Sequence, residues 1–185
     1  MHMRITPLTA PADATVTELE QHRGLVSALV LRPMDQQQTI LVSVWDGVED
    51  ADEAVGTAGG RDYPDTTFEA ATGAHERPAY GQLISFDGPR PRAEAAAIDR
   101  ANRERIAPAV RGVPGNVGAY VGRAPDGSLA VVALTTSLQA VEDTNQAIMS
   151  TSLLPGEDPA TLTGPSRIQI SWVLAASRRT VPIPH

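Results

Sequence analysis

The sequence predicts an α+β fold in which one β-α-β-β-α-β unit occurs twice, once in each half of the 185-residue chain. Two observations predict it. The octapeptide Val48–Val55 recurs in similar form at 141–148, 93 residues later, which is close to half of the chain length. Each copy also follows two strand-like segments that are joined by a short turn containing proline. A repeat of sequence together with its context favours a repeat of structure.

The paired segments in front of each octapeptide are predicted to form β-hairpins. The strands of the first hairpin are 25–31 and 39–45, around a turn at 32–36 that contains Pro33. Those of the second hairpin are 117–122 and 129–136, around a turn at 124–127 with the sequence Ala-Pro-Asp-Gly. Apolar residues alternate along these strands, proline fixes φ in the turns, and glycine tolerates a positive φ.

The remaining elements of the second half complete the unit. A strand at 80–86 precedes a helix over 91–111, in which apolar residues form one stripe and Pro108 is expected to bend or end the helix. The octapeptide starts a helix that ends near residue 154, and a loop rich in Gly and Pro at 155–165 leads to a last strand at 167–174. This order is the ferredoxin-like plan.

The first half follows the same plan less clearly. Its opening strand is 3–8, interrupted by Pro7, its first helix is 12–22, and its closing strand is 66–71. We set aside Met1-His2-Met3 as a remnant of cloning. The predicted organisation is a first repeat at 1–76, a second repeat at 77–176 and a loose C-terminal tail at 177–185 that contains Arg178 and Arg179. The two repeats are expected to pack sheet to sheet, as a dimer within one chain.

The composition excludes several classes of chemistry. The chain has no Cys, which excludes disulfides, thiolate zinc sites and iron–sulfur clusters. All 15 basic residues are Arg, so Schiff-base and P-loop mechanisms are excluded as well. The net charge of −7 disfavours nucleic acid as a partner. Because no apolar run approaches a membrane span or a signal peptide, we expect a cytoplasmic protein with no membrane partner.

Two segments resemble a known family. The sequence from Trp45-Asp46 through Glu49-Asp50 to Glu53-Ala54 resembles the third strand and second helix of the antibiotic-biosynthesis-monooxygenase-like (ABM-like) family, which belongs to the dimeric α+β barrel superfamily. The second copy has Leu138 in place of the tryptophan, and the segment 105–115 resembles the helix-to-strand junction of the family. The resemblance implies a tandem version of a barrel that other members build from two chains. A monomer with a pseudo-dimeric barrel and a homodimer are both open.

The resemblance also implies a range of functions. Members include cofactor-independent oxygenases that act on polyketide-like aromatics, enzymes that degrade haem, and proteins of no known activity. The haem-degrading branch uses a histidine ligand on a helix, and the predicted second helices contain none. We therefore predict a small-molecule ligand and no cofactor, with haem binding or degradation as a less favoured function.

The aromatic residues and one arginine are the candidate substrate-binding residues. Trp45 and Trp172 lie late in predicted strands, where they either pack in the core or form a wall against a flat ligand. Tyr120 alternates with Ala119 and Val121 and is out of phase with Val117, which places it on the opposite face of the sheet. Arg123, at a strand end, either binds an anion or lies in solvent.

His75 and Asn145 are the candidate catalytic residues. His75 neighbours Glu76, whose carboxylate tunes the imidazole towards acid–base chemistry, although a loop histidine commonly has no such role. Asn145 lies on a predicted helix, where it is either exposed or a buried amide that orients a substrate oxygen. His22 and His75 with nearby carboxylates do not have the spacing of a metal site, so none is predicted.

Two functions remain open from the sequence. The first is a cofactor-independent monooxygenase that acts on an electron-rich aromatic, and it predicts a closed apolar pocket with convergent polar groups. The second is a non-catalytic binding or structural protein, and it predicts a filled interior or a groove that is open to solvent. The differences between the two octapeptides, such as Asp52 against Asn145, are compatible with one functional half and one structural half.

Overall fold

The computed structural model describes residues 1–55 and 59–177. This part of the chain contains strands β1 (His2–Leu8), β2 (Leu25–Pro33), β3 (Thr39–Trp45), β4 (Arg61–Tyr63), β5 (Asp65–Ala70), β6 (Tyr80–Phe86), β7 (Asn116–Arg123), β8 (Leu129–Thr135) and β9 (Arg167–Ala176). The helices are α1 (Ala12–Leu19), α2 (Val48–Val55), α3 (Arg92–Ala101), α4 (Ala107–Val110) and α5 (Leu138–Met149). The predicted α+β class is confirmed.

All of these strands belong to one antiparallel sheet, in the order β4-β1-β3-β2-β9-β6-β8-β7-β5. The two ends of this order, β4 and β5, are adjacent in the chain and are separated only by Pro64. The backbone N–H of Thr66 also donates to the carbonyl of Met1 at 3.0 Å. The sheet therefore curls round and closes on itself as a barrel within one chain.

Apolar side chains fill the interior of the barrel. The buried cluster takes residues from seven strands: Met3, Leu29, Leu31, Val42, Val44, Tyr63, Leu83, Val117, Tyr120, Ala130, Val132 and Leu134. The helices cover the outer face of the sheet. Val16 and Leu19 of α1 and Ala51 of α2 pack on one side, and Ile98 of α3 packs on Val121 and Leu129. No helix in the described ranges has the length and apolar character needed to cross a membrane.

Most predicted elements are found at or near their expected bounds. Both hairpins form, as β2–β3 and β7–β8, and β6 has the predicted limits. Helix α1 ends at Leu19, before residue 22. The closing strand of the first half, predicted at 66–71, is found as β5, and Pro64 separates it from an additional short strand, β4, because proline cannot donate to the ladder. Setting aside Met1-His2-Met3 was wrong, since β1 begins at His2 and Met3 is fully buried.

The predicted bend at Pro108 takes the form of a π-helical turn. The turn spans Asn102–Ile106 and joins α3 to α4, and the backbone N–H of Ala107 donates to the carbonyl of Asn102. Proline lacks the N–H that an α-helical ladder requires, and one wide turn before it accommodates the loss without ending the helix.

Two bulges set which side chains enter the barrel. The ladder shifts between Leu25 and Ser27 on β2 and between Asn116 and Gly118 on β7. The second shift turns Val117 to the same face as Tyr120, so both are in the interior cluster. The prediction that they lie on opposite faces was wrong, because strict alternation does not hold across a bulge.

The C-terminal boundary of the sheet lies one residue into the predicted tail. The backbone N–H of Ser177 donates to the carbonyl of Ala28 at 2.8 Å, and its Oγ accepts from the N–H of Ala28 at 3.0 Å. The rest of the predicted tail, including Arg178 and Arg179, lies outside the described residues.

Candidate functional site

The outer face of β1 and β3 carries polar residues where the opposite face is apolar. His2 pairs with Trp45 in the ladder and Arg4 with Ser43, while Met3 and Val44 between them point into the barrel. Because side chains alternate along a strand, the polar residues lie on the outer face of the sheet and the apolar residues between them lie on the inner face. We call the polar set, together with the residues that contact it, the charged layer. Its members are His2, Arg4, Ser43, Trp45, Asp52 of α2 and Asp62 of β4.

Arg4 is at the centre of the charged layer. Its Nη2 donates to Asp52 Oδ1 at 2.6 Å and its Nε donates to Asp62 Oδ1 at 2.7 Å. The Arg4 side chain is 3% exposed, whereas those of both aspartates are 43% exposed. The guanidinium is therefore enclosed, and the carboxylates form the solvent side of the layer.

The ionised forms of this cluster are mutually stabilised. Burial alone raises the pKa of Asp62, but hydrogen bonds from Arg4 and His2 outweigh it, so that the pKa lies below its usual value. Burial likewise lowers the pKa of Arg4, and the hydrogen bonds to Asp62 and Asp52 outweigh it and raise that pKa. Asp62 is therefore a carboxylate, which can only accept, so the His2 Nε2 that lies 2.8 Å from its Oδ1 is the donor.

Several buried polar atoms of this face lack a hydrogen-bond partner among the described residues. They are His2 Nδ1, Ser43 Oγ, Trp45 Nε1 and, on the next outward position of β1, Thr6 Oγ1. Leaving a buried donor or acceptor unpaired costs about 1–3 kcal/mol, and buried polar groups are paired in the great majority of cases. These atoms lie beside the buried Arg4 side chain, and a polar ligand or ordered water would satisfy them.

Glycine allows the chain to close over this layer. A Cβ at Gly60 would lie 2.8 Å from Thr6 Oγ1 and 3.2 Å from Arg4 Cγ. Because glycine has no Cβ, the backbone before β4 lies directly on the Arg4 side chain, and Asp62 arrives within hydrogen-bond distance two residues later. The sequence feature Gly59-Gly60 thus positions one of the two carboxylates.

A contact between β6 and α5 in the second half of the chain involves two uncharged side chains. Gln82 of β6 donates from Nε2 to Asn145 Oδ1 of α5 at 3.5 Å, as Arg4 donates to Asp52 in the first half. Asp52 and Asn145 are each the fifth residue of the octapeptide. The octapeptides nevertheless begin at different positions, since Val48 is the first residue of α2 and Val141 is the fourth residue of α5.

The predicted substrate-binding residues lie in different places. Trp45 is fully buried at the edge of the charged layer, where it packs in the apolar cluster beneath α1 and α2, with the His22 ring edge-on at a centroid distance of 6.5 Å. Trp172 is 38% exposed on the outer face of β9, with the Arg32 guanidinium 5.2 Å from its ring. Tyr120 is inside the barrel, 4.7 Å from the Phe68 ring, and burial raises its pKa despite the hydrogen bond to Ser27.

Arg123 lines an open groove between α3 and the β7–β8 hairpin. The groove has a volume of about 510 Å³ and is lined by Asp65, Arg92, Ala95, Ala96, Ile98, Asp99, Arg123, Ala124, Gly127, Ser128 and Leu129. Arg123 Nε donates to Asp99 Oδ1 at 2.8 Å and its Nη2 donates to the same oxygen. The charge of Arg123 is thus already compensated within the groove.

The two predicted catalytic residues differ in burial. His75 is exposed in the loop between β5 and β6, whereas Asn145 is half-buried on α5 and accepts from Gln82. The roles of both stay predictions. Five members of the charged layer were missed by the sequence analysis, and the alternation of polar His2, Arg4 and Thr6 with apolar Met3 and Ile5 is the signal that would have identified part of it.

The fold is shared with solved structures of low sequence identity. No protein-family model matches the sequence, and no curated protein matches it. A "putative monooxygenase" from Lactobacillus acidophilus NCFM is similar with a TM-score of 0.62 at 9% identity, covering 99% of both chains. Another so described, from Fusobacterium nucleatum subsp. nucleatum ATCC 25586, has a TM-score of 0.62 at 6% identity, covering 95% of this chain and 92% of that one.

An anthrone oxidase-like protein is similar over 100% of this chain and 96% of its own, with a TM-score of 0.53 at 14% identity. At these sequence identities the comparisons establish the fold only, so any activity must be argued from the residues of the site. The chain therefore shares with these structures an α+β fold built on a large antiparallel sheet.

Proposed function

We propose that this protein binds an aromatic or polyketide-like small molecule in the charged layer and oxidises it as a cofactor-independent monooxygenase. In this proposal the halves 1–76 and 77–176 are ABM-like, ferredoxin-like repeats that together form the barrel. The first repeat contains the site, and the second repeat is its neutral counterpart. The similar strand pairing of the two halves and the Arg4–Asp52 and Gln82–Asn145 contacts support the repeat.

The observation that carries the proposal is the set of unpaired buried atoms next to Arg4. Trp45 Nε1 is a donor, Ser43 Oγ is a donor and acceptor, and both residues are fully buried. A carbonyl or phenolate oxygen of an aromatic ligand would accept from these groups, and the indole would face its ring. The nearby guanidinium would stabilise negative charge that develops on the ligand oxygen.

The chemistry requires dioxygen as the only co-reactant. A methylene group flanked by aryl rings or carbonyls loses a proton, and the resulting carbanion transfers electrons to dioxygen and forms a carbon–oxygen bond. Loss of the second C–H proton and cleavage of the O–O bond leave a carbonyl, so that CH₂ + O₂ gives C=O + H₂O. The substrate supplies all the electrons, and the protein contributes position and electrostatic stabilisation.

Oxygen consumption with anthrone tests the proposal. The wild-type protein is expected to accelerate anthrone oxidation above its spontaneous rate, with anthraquinone as the product. Trp45→Phe, which removes the indole N–H, is expected to lower the accelerated rate at least tenfold, and Trp172→Phe is the matched control for the other tryptophan. No acceleration by the wild type contradicts the proposed activity. Loss of rate in Trp172→Phe alone contradicts the placement in the first half.

A non-catalytic binding protein is the second candidate. The filled barrel interior and the open groove beside Arg123 favour it, because neither is a closed reaction chamber. This candidate predicts that anthrone or a related aromatic binds, measured by quenching of tryptophan fluorescence, without oxygen consumption. Alanine variants of Arg123, Tyr120, Asn145 and His75 in both assays test the remaining predicted site residues.

We propose a monomer as the functional unit, because the strand order closes within one chain. Light scattering coupled to size-exclusion chromatography is expected to give a mass near 19.5 kDa. A mass twice as large would support the homodimer instead.

A further inference from the structure

We infer that His2, held by Asp62, is the proton acceptor of the charged layer: its unpaired Nδ1 takes the C–H proton of the substrate. This inference rests on the proposed function and assigns the base of that reaction to a residue other than the predicted His75. His75 is exposed in a loop, whereas the His2 side chain is 5% exposed and faces Trp45 across the β1–β3 ladder.

The hydrogen bond to Asp62 determines which nitrogen of His2 is basic. Asp62 accepts from Arg4 and from His2 and stays ionised, so Nε2 of His2 must carry the proton that it donates. In its neutral form the imidazole has one N–H, so Nδ1 then holds a lone pair. That atom is buried and has no partner among the described residues. A basic nitrogen in this state, oriented by a carboxylate on its other side, is the arrangement of a general base.

The surrounding charges favour the products of the proton transfer. When Nδ1 takes the proton, the imidazolium lies beside the Asp62 carboxylate, and the electron pair left on the substrate lies beside Arg4. Asp52 of α2 faces the same guanidinium, so Arg4 retains one carboxylate contact throughout. After dioxygen has added to the carbanion, the imidazolium gives its proton to the peroxide. His2 then takes the second C–H proton as the O–O bond breaks, and it passes that proton to the departing hydroxide, which yields water and the carbonyl product.

In this inference, helix α2 lies over these atoms and must open locally for a substrate to reach them. Of its eight residues only Ala51 is fully buried, Ala54 and Val55 are partly buried against the same apolar cluster, and Asp52 is 43% exposed at the edge of the layer. An element with few buried apolar contacts opens locally at low free-energy cost. Opening of α2 would expose Trp45, Ser43 and His2 without disturbing the barrel interior.

An anaerobic titration with anthrone separates this inference from the proposed function. Without dioxygen the bound ligand stops at its enolate, which absorbs at longer wavelength than the keto form. The wild type is expected to bind anthrone and to show the enolate band. His2→Gln is expected to bind within about threefold of the wild-type Kd and to form the enolate about 100-fold or more slowly, the usual range for removal of a general base. His75→Gln tests the alternative base, since slower formation of the enolate in this variant would assign the proton transfer to His75.

Each outcome is decisive. Absence of binding by the wild type overturns the proposed function, and the inference falls with it. Binding with enolate formation at the wild-type rate in His2→Gln, or slowed formation in His75→Gln, overturns the inference alone. In case His2→Gln does not fold, ¹⁵N NMR of the wild type provides a second measurement. It is expected to show the Nε2–H tautomer for His2, and the Nδ1–H tautomer would overturn the inference.

Discussion

Ser43→Ala is expected to stabilise the protein and to weaken its ligand binding at the same time. Ser43 is fully buried on β3, it is the ladder partner of Arg4, and its Oγ lacks a hydrogen-bond partner among the described residues. The substitution removes the unpaired hydroxyl and keeps the Cβ. The free protein loses an unfavourable group, and the ligand complex loses a hydrogen bond.

The expected magnitude follows from two opposing contributions. An unpaired buried hydroxyl costs about 1–3 kcal/mol, and its removal returns this free energy. Against it stand the few dispersion contacts of the Oγ atom, at roughly 0.1–0.2 kcal/mol each. At the lower end of the 1–3 kcal/mol range, the net increase in the free energy of unfolding is about 1 kcal/mol. For a chain of this size that increase raises Tm by about 2–4 °C.

Urea and thermal unfolding at neutral pH, with anthrone binding alongside, provide the assay. Ser171→Ala is the matched control, because Ser171 is also fully buried with an unpaired Oγ but lies across the ladder from Gly81 and faces the barrel interior. It is expected to stabilise by a similar amount and to leave binding unchanged. Destabilisation by Ser43→Ala of more than about 1 kcal/mol would refute the reasoning, because it would mean that the hydroxyl is hydrogen-bonded in solution.

Three further predictions concern packing and pH. Gly122→Ala places a Cβ 2.7 Å from Tyr63 Cβ inside the barrel and is expected to lower the free energy of unfolding by about 1–3 kcal/mol, measured with urea. Gly112→Ala is the control, because a Cβ there has no atom within 4 Å and is not expected to destabilise the protein. The pKa of Asp62 is lowered on folding, so the Asp62 carboxylate stabilises the folded protein above its ordinary pKa of 3.8. This stabilisation is lost as the pH falls through the pKa of the folded protein, and the stability difference between the wild type and Asp62→Asn should shrink over that range. Burial raises the pKa of Glu69 from its ordinary value of 4.5, so protonated Glu69 stabilises the folded protein below that pH and this stabilisation is lost as the pH rises. Glu69→Gln should therefore be more stable than the wild type at pH 7 and should lose that advantage below pH 4.5.

The strands and helices were predictable because their signals are local. The hairpins at β2–β3 and β7–β8 follow from alternation and turn chemistry within about 20 residues each. The additional strand β4 before Pro64 and the bulge at Val117 were not predicted. Both depend on which distant strand each segment pairs with, and the period-2 pattern of a short segment contains no such information.

The candidate site was only partly predictable. Trp45 was identified because tryptophan is rare in this chain, and its position late in a strand suggested a ligand wall. The ion pairs of Arg4 span 48 residues to Asp52 and 58 residues to Asp62. Arginine on a strand is normally exposed, and nothing local indicates that α2 and β4 cover this one. The unpaired atoms could be recognised only once burial and partners were known.

The two halves of the barrel provide an internal argument for a functional role of the charged layer. Burying Arg4 with its carboxylates contributes little to stability, because the desolvation penalty of an ion pair offsets most of its Coulomb energy. The same contact between first strand and helix is made in the second half by Gln82 and Asn145, which are neutral. The architecture therefore forms without charges at this position. What the charges add to the first half is a cation and a histidine beside unpaired polar atoms, which under the proposed function would stabilise a carbanion and accept its proton.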